Sequence, residues 1–250
     1  MNIGDGLSVP KLFCIISQPR SGSNRLISLL NSHPAIVCHG ELFHGVAIYS
    51  KLRRWPELST ADKFVALLAR NIAPRRFLND HISQSRDAWP RANAIGFKHF
   101  PFNSRRVLRY ISRSQAYEVI YLKRNNTVLQ YASDRTARKT NIWLSKASRR
   151  HYRKAESVRF SMRDFSRYVA RLDHYDKVVR SALRGKSFLE IAYEDMDPLL
   201  PVIQERLGVE ALKLRSRMQK QGPDDWVERF SNPDRVLKAL KSTKFAAHLR

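Results

Sequence analysis

The sequence predicts an α/β domain with a central, mostly parallel sheet covered by helices on both faces. Short apolar segments alternate with segments of helical period, and that order of elements favours parallel strands joined by crossover helices. The strand candidates are apolar without polar alternation, as strands buried on both faces are. A small polar loop, QPRSGSN, joins the first strand to the first helix. Strand, loop and helix in that order present backbone N–H groups to an anion.

Leu12–Ile16 (LFCII) is the first strand, and Leu26, Leu29 and Leu30 mark a helix behind it, with Ser21, Ser23 or Asn24 available as its cap. Ala35–Phe43 is a second strand. Thr60–Ala73 is a helix with Phe64, Leu67 and Leu68 on one side, and Ala94–Phe100 is a third strand. Pro74, Pro90 and Pro101 punctuate the loops between them. Tyr117–Arg124 is a strand ending in charge, and Asn125 caps a helix running to about Arg138. Met162–Leu183 is a long amphipathic helix whose Phe165, Tyr168, Val169, Leu172, Tyr175 and Val179 recur at period 3.6, a core face. A last strand, SFLEIAYEDM, leads into a helix over Pro198–Leu207, and a final helix covers Asp234–Leu240. No repeat, low-complexity tract or linker divides the chain, so residues 1–250 read as one domain.

Hydrophobic residues make up 43% of the 250 and aromatic residues 10%, enough for a core and against global disorder. Cys14 and Cys38 lie in apolar surroundings without metal-ligand spacing and read as buried thiols, and no carboxylate cluster suggests a metal. No segment has the length of a membrane-spanning helix, and Met1–Pro10 lacks a basic region followed by an apolar one. A soluble, cytoplasmic protein is the expectation.

Charge is the loudest compositional signal: 46 Lys and Arg against 22 Asp and Glu, a net +24. Such a field attracts nucleic acid, anionic lipid, or phosphorylated and sulfated small molecules. The densest stretch, KASRRHYRKAESVRFSMR, would place Lys146, Arg149, Arg150, Arg153 and Lys154 on one helical face, which reads as a solvated surface.

In parallel sheets ligands bind beyond the C-terminal strand ends. That rule brings Gln18–Asn24, His39–Glu41 and Lys123–Asn125 to one rim. The first loop lacks the second glycine and the lysine of G-x-x-x-x-G-K-[ST], and no dinucleotide fingerprint is present. It keeps the architecture of a phosphate cradle, with Arg20 before Gly22 and further donors at Ser21, Ser23 and Asn24.

PRSGSNRL resembles the 5′-phosphosulfate loop of sulfotransferases that use 3′-phosphoadenosine-5′-phosphosulfate (PAPS), in the arginine form of many carbohydrate sulfotransferases. YLKRNNTVLQYASDRTA resembles the family's 3′-phosphate segment, with an Arg-to-Ser spacing similar to bacterial nodulation-factor and lipopolysaccharide-type sulfotransferases. GFKHF, AYEDM and KQGPDDWVERFSNPDRVLKAL resemble three further family segments. The resemblance implies a P-loop-containing three-layer fold and places Arg20, Ser21, Gly22, Ser23, Asn24 and Arg25 on the donor's 5′ end. It places Arg124 and Ser133 on the 3′-phosphate, with Lys220 and Gln221 where related enzymes close over the donor. Residues 44–93 and 140–185 match only loosely and are expected to be acceptor-side helical insertions.

Sulfuryl transfer rests on positioning and charge stabilisation, as phosphoryl transfer does. Arg20 is the expected partner of charge on the leaving phosphate. The acceptor hydroxyl needs a base, and the resemblance points to Glu41; His39 stands behind it, on the reading that alternation turns both the same way, and His99 is a further histidine. The resemblance thus implies PAPS as co-substrate and a carbohydrate or glycolipid acceptor, with peripheral attraction to an anionic membrane and no metal. A basic nucleic-acid-binding protein, or a kinase-like nucleotide-binding protein, is the alternative.

Overall fold

The computed structural model describes residues 9–143, 157–218, 222–223 and 225–249. Its centre is a five-stranded sheet in the order β2-β3-β1-β4-β5, with every described pairing parallel. The strands are β1 (Lys11–Ser17), β2 (Ile36–Glu41), β3 (Ala94–His99), β4 (Tyr117–Lys123) and β5 (Leu189–Ala192). Between and after them run α1 (Ser23–Leu30), α2 (Thr60–Ile72), α3 (Pro74–Ala88), α4 (Arg105–Arg113), α5 (Thr127–Thr140), α6 (Met162–Ala182), α7 (Leu200–Arg206) and α8 (Pro233–Leu240). The α/β class and the parallel sheet expected from the sequence are what forms.

Alternation along β1 builds the two covering layers. Cys14 and Ile16 face a core that takes Leu78 and Ile82 from α3, Val107, Leu108 and Ile111 from α4, and Val179 from α6. Phe13 and Ile15 face the other, which takes Leu26, Leu29 and Leu30 from α1 and Ile203 from α7. Each of these apolar side chains contributes roughly 1.5–3 kcal/mol by leaving water. A third cluster at the C-terminal end joins Val128, Tyr131 and Ala132 of α5, Phe165, Tyr168 and Leu172 of α6, and Val236 and Leu240 of α8. The aromatic face of α6 is therefore core, as its period required. Both cysteines are buried and free.

Two helices have no counterpart in the sequence reading. Helix α3 begins at Pro74, in the first helical turn where a missing N–H is harmless, so that proline opens an element instead of a loop. Its sequence PRRFLNDHISQSRDA is polar enough to hide the four buried residues Leu78, His81, Ile82 and Ser85. Helix α4 is capped by Ser104, whose hydroxyl accepts from the Val107 N–H. β5 is shorter than read and ends at Ala192, with Tyr193–Asp195 forming a single 3-10 turn. Helix α5 is capped by Asn126, not Asn125: its Oδ1 accepts from the Leu129 N–H at 2.9 Å. In α2, Leu67 packs on the core while Phe64 and Leu68 stand in solvent. The basic stretch from Lys146 to Lys154 lies outside the described residues.

Candidate active site

Because all five strands run parallel, Ser17, Glu41, His99, Lys123 and Ala192 end on one rim. β1 turns there through Gln18–Gly22 into α1, with left-handed backbone at Arg20 (φ 61°) and Gly22 (φ 82°). A non-glycine residue in that region costs roughly 1–2 kcal/mol. The fold holds the turn in place: Ser21 Oγ donates to Gln18 O (2.7 Å), Gln18 Nε2 to Leu172 O (3.3 Å), and Gln130 Nε2 to Pro19 O (2.8 Å).

Gly22 itself is the N-cap of α1, and no side-chain cap hydrogen bond closes the helix start among the described residues. This replaces the cap expected at Ser21, Ser23 or Asn24. The buried Ser21 hydroxyl serves the turn, and Asn24 Oδ1 accepts from Lys98 Nζ at 2.8 Å. An uncapped N-terminus at a sheet rim is suited to an anion. Only glycine fits at position 22, since a Cβ there would lie 2.1 Å from Cδ2 of Tyr193.

The same Tyr193 ring carries the Arg124 guanidinium, 5.0 Å from its centroid. The Arg124 side chain is 8% exposed, its Nε stands 3.8 Å from Glu194 Oε1, and that nitrogen has no hydrogen-bond partner among the described residues. Burial draws its pKa below the usual arginine range, and Glu194 pushes back. The Glu194 carboxylate meanwhile accepts from the Asn125 and Asn126 N–H groups at 2.9 and 3.0 Å. Buried Ser133 lies on α5, and Arg20 Nε donates to its Oγ at 3.0 Å. Arg20 also donates to Trp143 O at 2.9 Å. Arg20, assigned to one end of the donor, thus rests on Ser133, assigned to the other. Tyr168 lies close enough for the Arg20 and Arg124 charges to oppose the rise that burial gives its hydroxyl's pKa. That hydroxyl is a buried group with no hydrogen-bond partner among the described residues.

Glu41 closes β2 on the α1 side of the sheet. Its Oε1 pairs with Lys98 Nζ at 2.8 Å, while the buried Oε2 has no hydrogen-bond partner among the described residues. Burial lowers the Lys98 pKa and Glu41 raises it in return. Lys98 therefore strings Glu41 to Asn24 at the start of α1. Sequence reasoning passed over this lysine; the available signal was a cation inside the apolar strand AIGFKHF, which a buried strand tolerates only with a partner.

His39 requires a correction. The register of β2 against β3 slips between His39, opposite Phe97, and Glu41, opposite Lys98, so a bulge at Gly40 breaks the alternation and turns the two side chains to opposite faces. Gly40 makes room for Tyr49, whose Cβ would lie 2.9 Å from a Cβ at position 40. His39 is fully buried, with Nε2 2.9 Å from Ser85 Oγ and Nδ1 accepting from the Lys51 N–H at 3.1 Å. Burial, then His81 and Lys51, lower its pKa to about 3. It is a neutral core histidine packed toward α3. His99 is also fully buried, 3.1 Å from Ser104 O through Nε2, with its pKa lowered to about 4 by burial.

Arg25 is corrected as well: it points to the turn after β5, where NH2 meets Asp197 at 2.8 Å and NH1 meets Met196 Sδ at 3.6 Å. It lines a separate groove with Leu200, Pro201 and Leu212. Lys220 and Gln221 lie outside the described residues.

The fold and rim define a parallel α/β protein with a strand-loop-helix junction suited to an anion and a buried arginine beside it. The chain is 28% identical to Nodulation protein H of Rhizobium tropici over 194 residues, covering 76% of this chain and 71% of that protein. That similarity bears out the resemblance to bacterial nodulation-type sulfotransferases read from PRSGSNRL and YLKRNNTVLQYASDRTA. No family model matches the chain. Among solved structures, the sulfotransferase domain of the Synechococcus PCC 7002 olefin synthase is similar at 15% identity and a TM-score of 0.49, over 81% of this chain and 75% of that one.

Proposed function

We propose that the protein is a cytoplasmic sulfotransferase moving the sulfuryl group of PAPS to a hydroxyl of a carbohydrate or glycolipid acceptor. The observation that carries this reading is the buried Arg124 guanidinium, whose Nε makes no hydrogen bond among the described residues and which shares the rim with Ser133, Arg20 and the uncapped α1. A buried guanidinium nitrogen without a hydrogen-bonded partner is costly, and an anionic ligand would relieve it. The residues fit a donor with phosphate at two ends.

Bound PAPS supplies an activated sulfuryl group on a phosphate leaving group. Arg124 and Ser133 would hold its 3′-phosphate, and the turn around Ser21–Asn24 with the α1 N–H groups would hold the 5′ end. Arg20, reaching from the same turn, would offset charge developing on the leaving phosphate. Lys98 fixes Glu41 through Oε1, which leaves Oε2 to take the proton of the acceptor hydroxyl. The net charge of +24 raises the local concentration of an anionic donor. Residues 44–93 and 140–185 are proposed to frame the acceptor.

A thermal-shift titration tests the reading. Adenosine-3′,5′-bisphosphate is expected to raise the melting temperature more than AMP, ADP or ATP at equal concentration. A preference for ATP would favour a kinase-like protein. Tight nucleic-acid binding that collapses steeply with salt, without any response to the bisphosphate, would favour the polyelectrolyte reading.

A further inference from the structure

We propose that the solvent face of α2 is a docking surface that seats the protein on an anionic lipid bilayer. Phe64, Val65, Leu68 and Ile72 are 65%, 62%, 47% and 69% exposed, and their spacing places them on one side of the helix. The opposite side is already used: Arg70 is buried, and Ala66 and Leu67 pack on the core. The apolar stripe is therefore a second face with no partner among the described residues. Exposed apolar residues scattered singly need no explanation, but four in register on one short helix do.

Charge identifies the occupant. Arg53 and Arg54 precede the helix and Arg75 and Arg76 follow it, all four exposed; Arg54 pairs with Glu57 and Arg76 with Asp80, which leaves arginine in excess at both ends of the stripe. Apolar side chains between flanking arginines match an interface with acyl chains below and anionic headgroups above. A second copy of the chain is a poorer occupant, because two molecules of net charge +24 repel each other while an anionic surface attracts both.

The surface is also mechanically tied to the rim. Arg70 NH1 donates to Leu42 O at 3.4 Å and to Ala47 O at 3.0 Å, pinning the segment that follows Glu41. That segment exposes two more apolar side chains, Val46 and Tyr49. Docking through α2 would hold the Glu41 end of the sheet at a fixed distance from the bilayer, within reach of a lipid-borne acceptor. Only this last consequence rests on the sulfotransferase reading; the docking itself needs no turnover.

The test is co-sedimentation of the full chain with vesicles of phosphatidylcholine alone or with about 30% phosphatidylglycerol, at about 0.1 M salt. Binding is expected to the anionic vesicles only. The Phe64→Ser/Leu68→Ser variant, changed at two exposed positions, is expected to keep its melting temperature and lose at least about tenfold in partitioning. Should that pair lower the melting temperature, Ile72→Ser carries the same test at the far end of the stripe. Equal binding by wild type and variant would overturn the proposal in favour of charge alone. Absence of binding would overturn it outright, as would a wild-type dimer, seen by light scattering without vesicles, that the variant abolishes.

Discussion

The turn from β1 into α1 and the junction from β4 into α5 lie side by side at one sheet edge, yet they offer positive charge by different means. At the first, Gly22 caps the helix with backbone alone, and no side-chain cap hydrogen bond closes the helix start among the described residues. At the second, the helix start is closed: Asn126 accepts from the Leu129 N–H, and Glu194 covers the Asn125 and Asn126 N–H groups. Positive charge there comes from the desolvated Arg124 side chain. Backbone geometry makes the one region, side-chain burial the other, and Tyr193 joins them, since its ring packs on Gly22 and also carries the Arg124 guanidinium. The two regions should therefore fail differently.

The largest expected effect separates both from the chemistry. Glu41→Gln leaves each junction intact, so donor binding by thermal shift should hold while turnover falls about a hundred- to ten-thousandfold, the range for loss of a general base. An unchanged rate would remove Glu41 as base. Lys98→Met should depress turnover by freeing Glu41 and, because Lys98 also holds Asn24 at the start of α1, should reduce the melting shift given by adenosine-3′,5′-bisphosphate less than Arg124→Ala does.

Gly22→Ala attacks the backbone-built region. The added methyl meets the Tyr193 ring and a left-handed φ together, which should cost roughly 2–4 kcal/mol in urea unfolding and disturb Arg124 through the displaced ring. Arg124→Ala attacks the side-chain-built region. Its donor affinity should fall about tenfold to a hundredfold, from the loss of a charged hydrogen bond worth about 1.5–3 kcal/mol, with little change in folding. If Arg124→Ala bound the bisphosphate normally, the second junction would be structural only.

Acid should strain a third place without favouring either junction. His39, His81 and His99 are buried with pKa values lowered to about 3, 4 and 4, so the unfolded chain takes up their protons first as pH falls below about 6.5. Stability is therefore full near pH 7 and should decline toward pH 4, by about 1.4 kcal/mol per pH unit for each histidine. Urea titrations at pH 7 and 5 measure the slope, and His39→Asn should make it shallower. The smallest effect belongs to Arg25→Ala, which removes a partly exposed pair with Asp197 and should change stability by less than about 1 kcal/mol.

Much of this site was legible from sequence because its parts are local. The strand-loop-helix junction sits within Leu12–Leu30, and Arg124 and Ser133 are nine positions apart across one strand end and one helix. The misreadings came from longer-range facts. Two positions in β2 are enough for alternation to hold in principle, yet the contact of Gly40 with Tyr49 and the slipped register against β3 reversed His39 relative to Glu41. Arg25 sits one residue beyond Asn24, but Asp197 draws it away from the loop mouth.

By itself the sequence determined the fold class, the strand order along the chain and the rim where polar clusters meet, since periodicity and apolar runs are set by each segment's own need to bury one or two faces. Only the tertiary structure decided that Lys98 carries Glu41, that Gly22 leaves α1 uncapped, and that α2 turns Phe64 and Leu68 outward. Each of these depends on a partner far away in sequence: Lys98 on Glu41, Gly22 on Tyr193, and the orientation of α2 on the seat that Arg70 finds among the carbonyls after β2. A helical stripe specifies that one face is apolar, and packing alone specifies which face the core accepts.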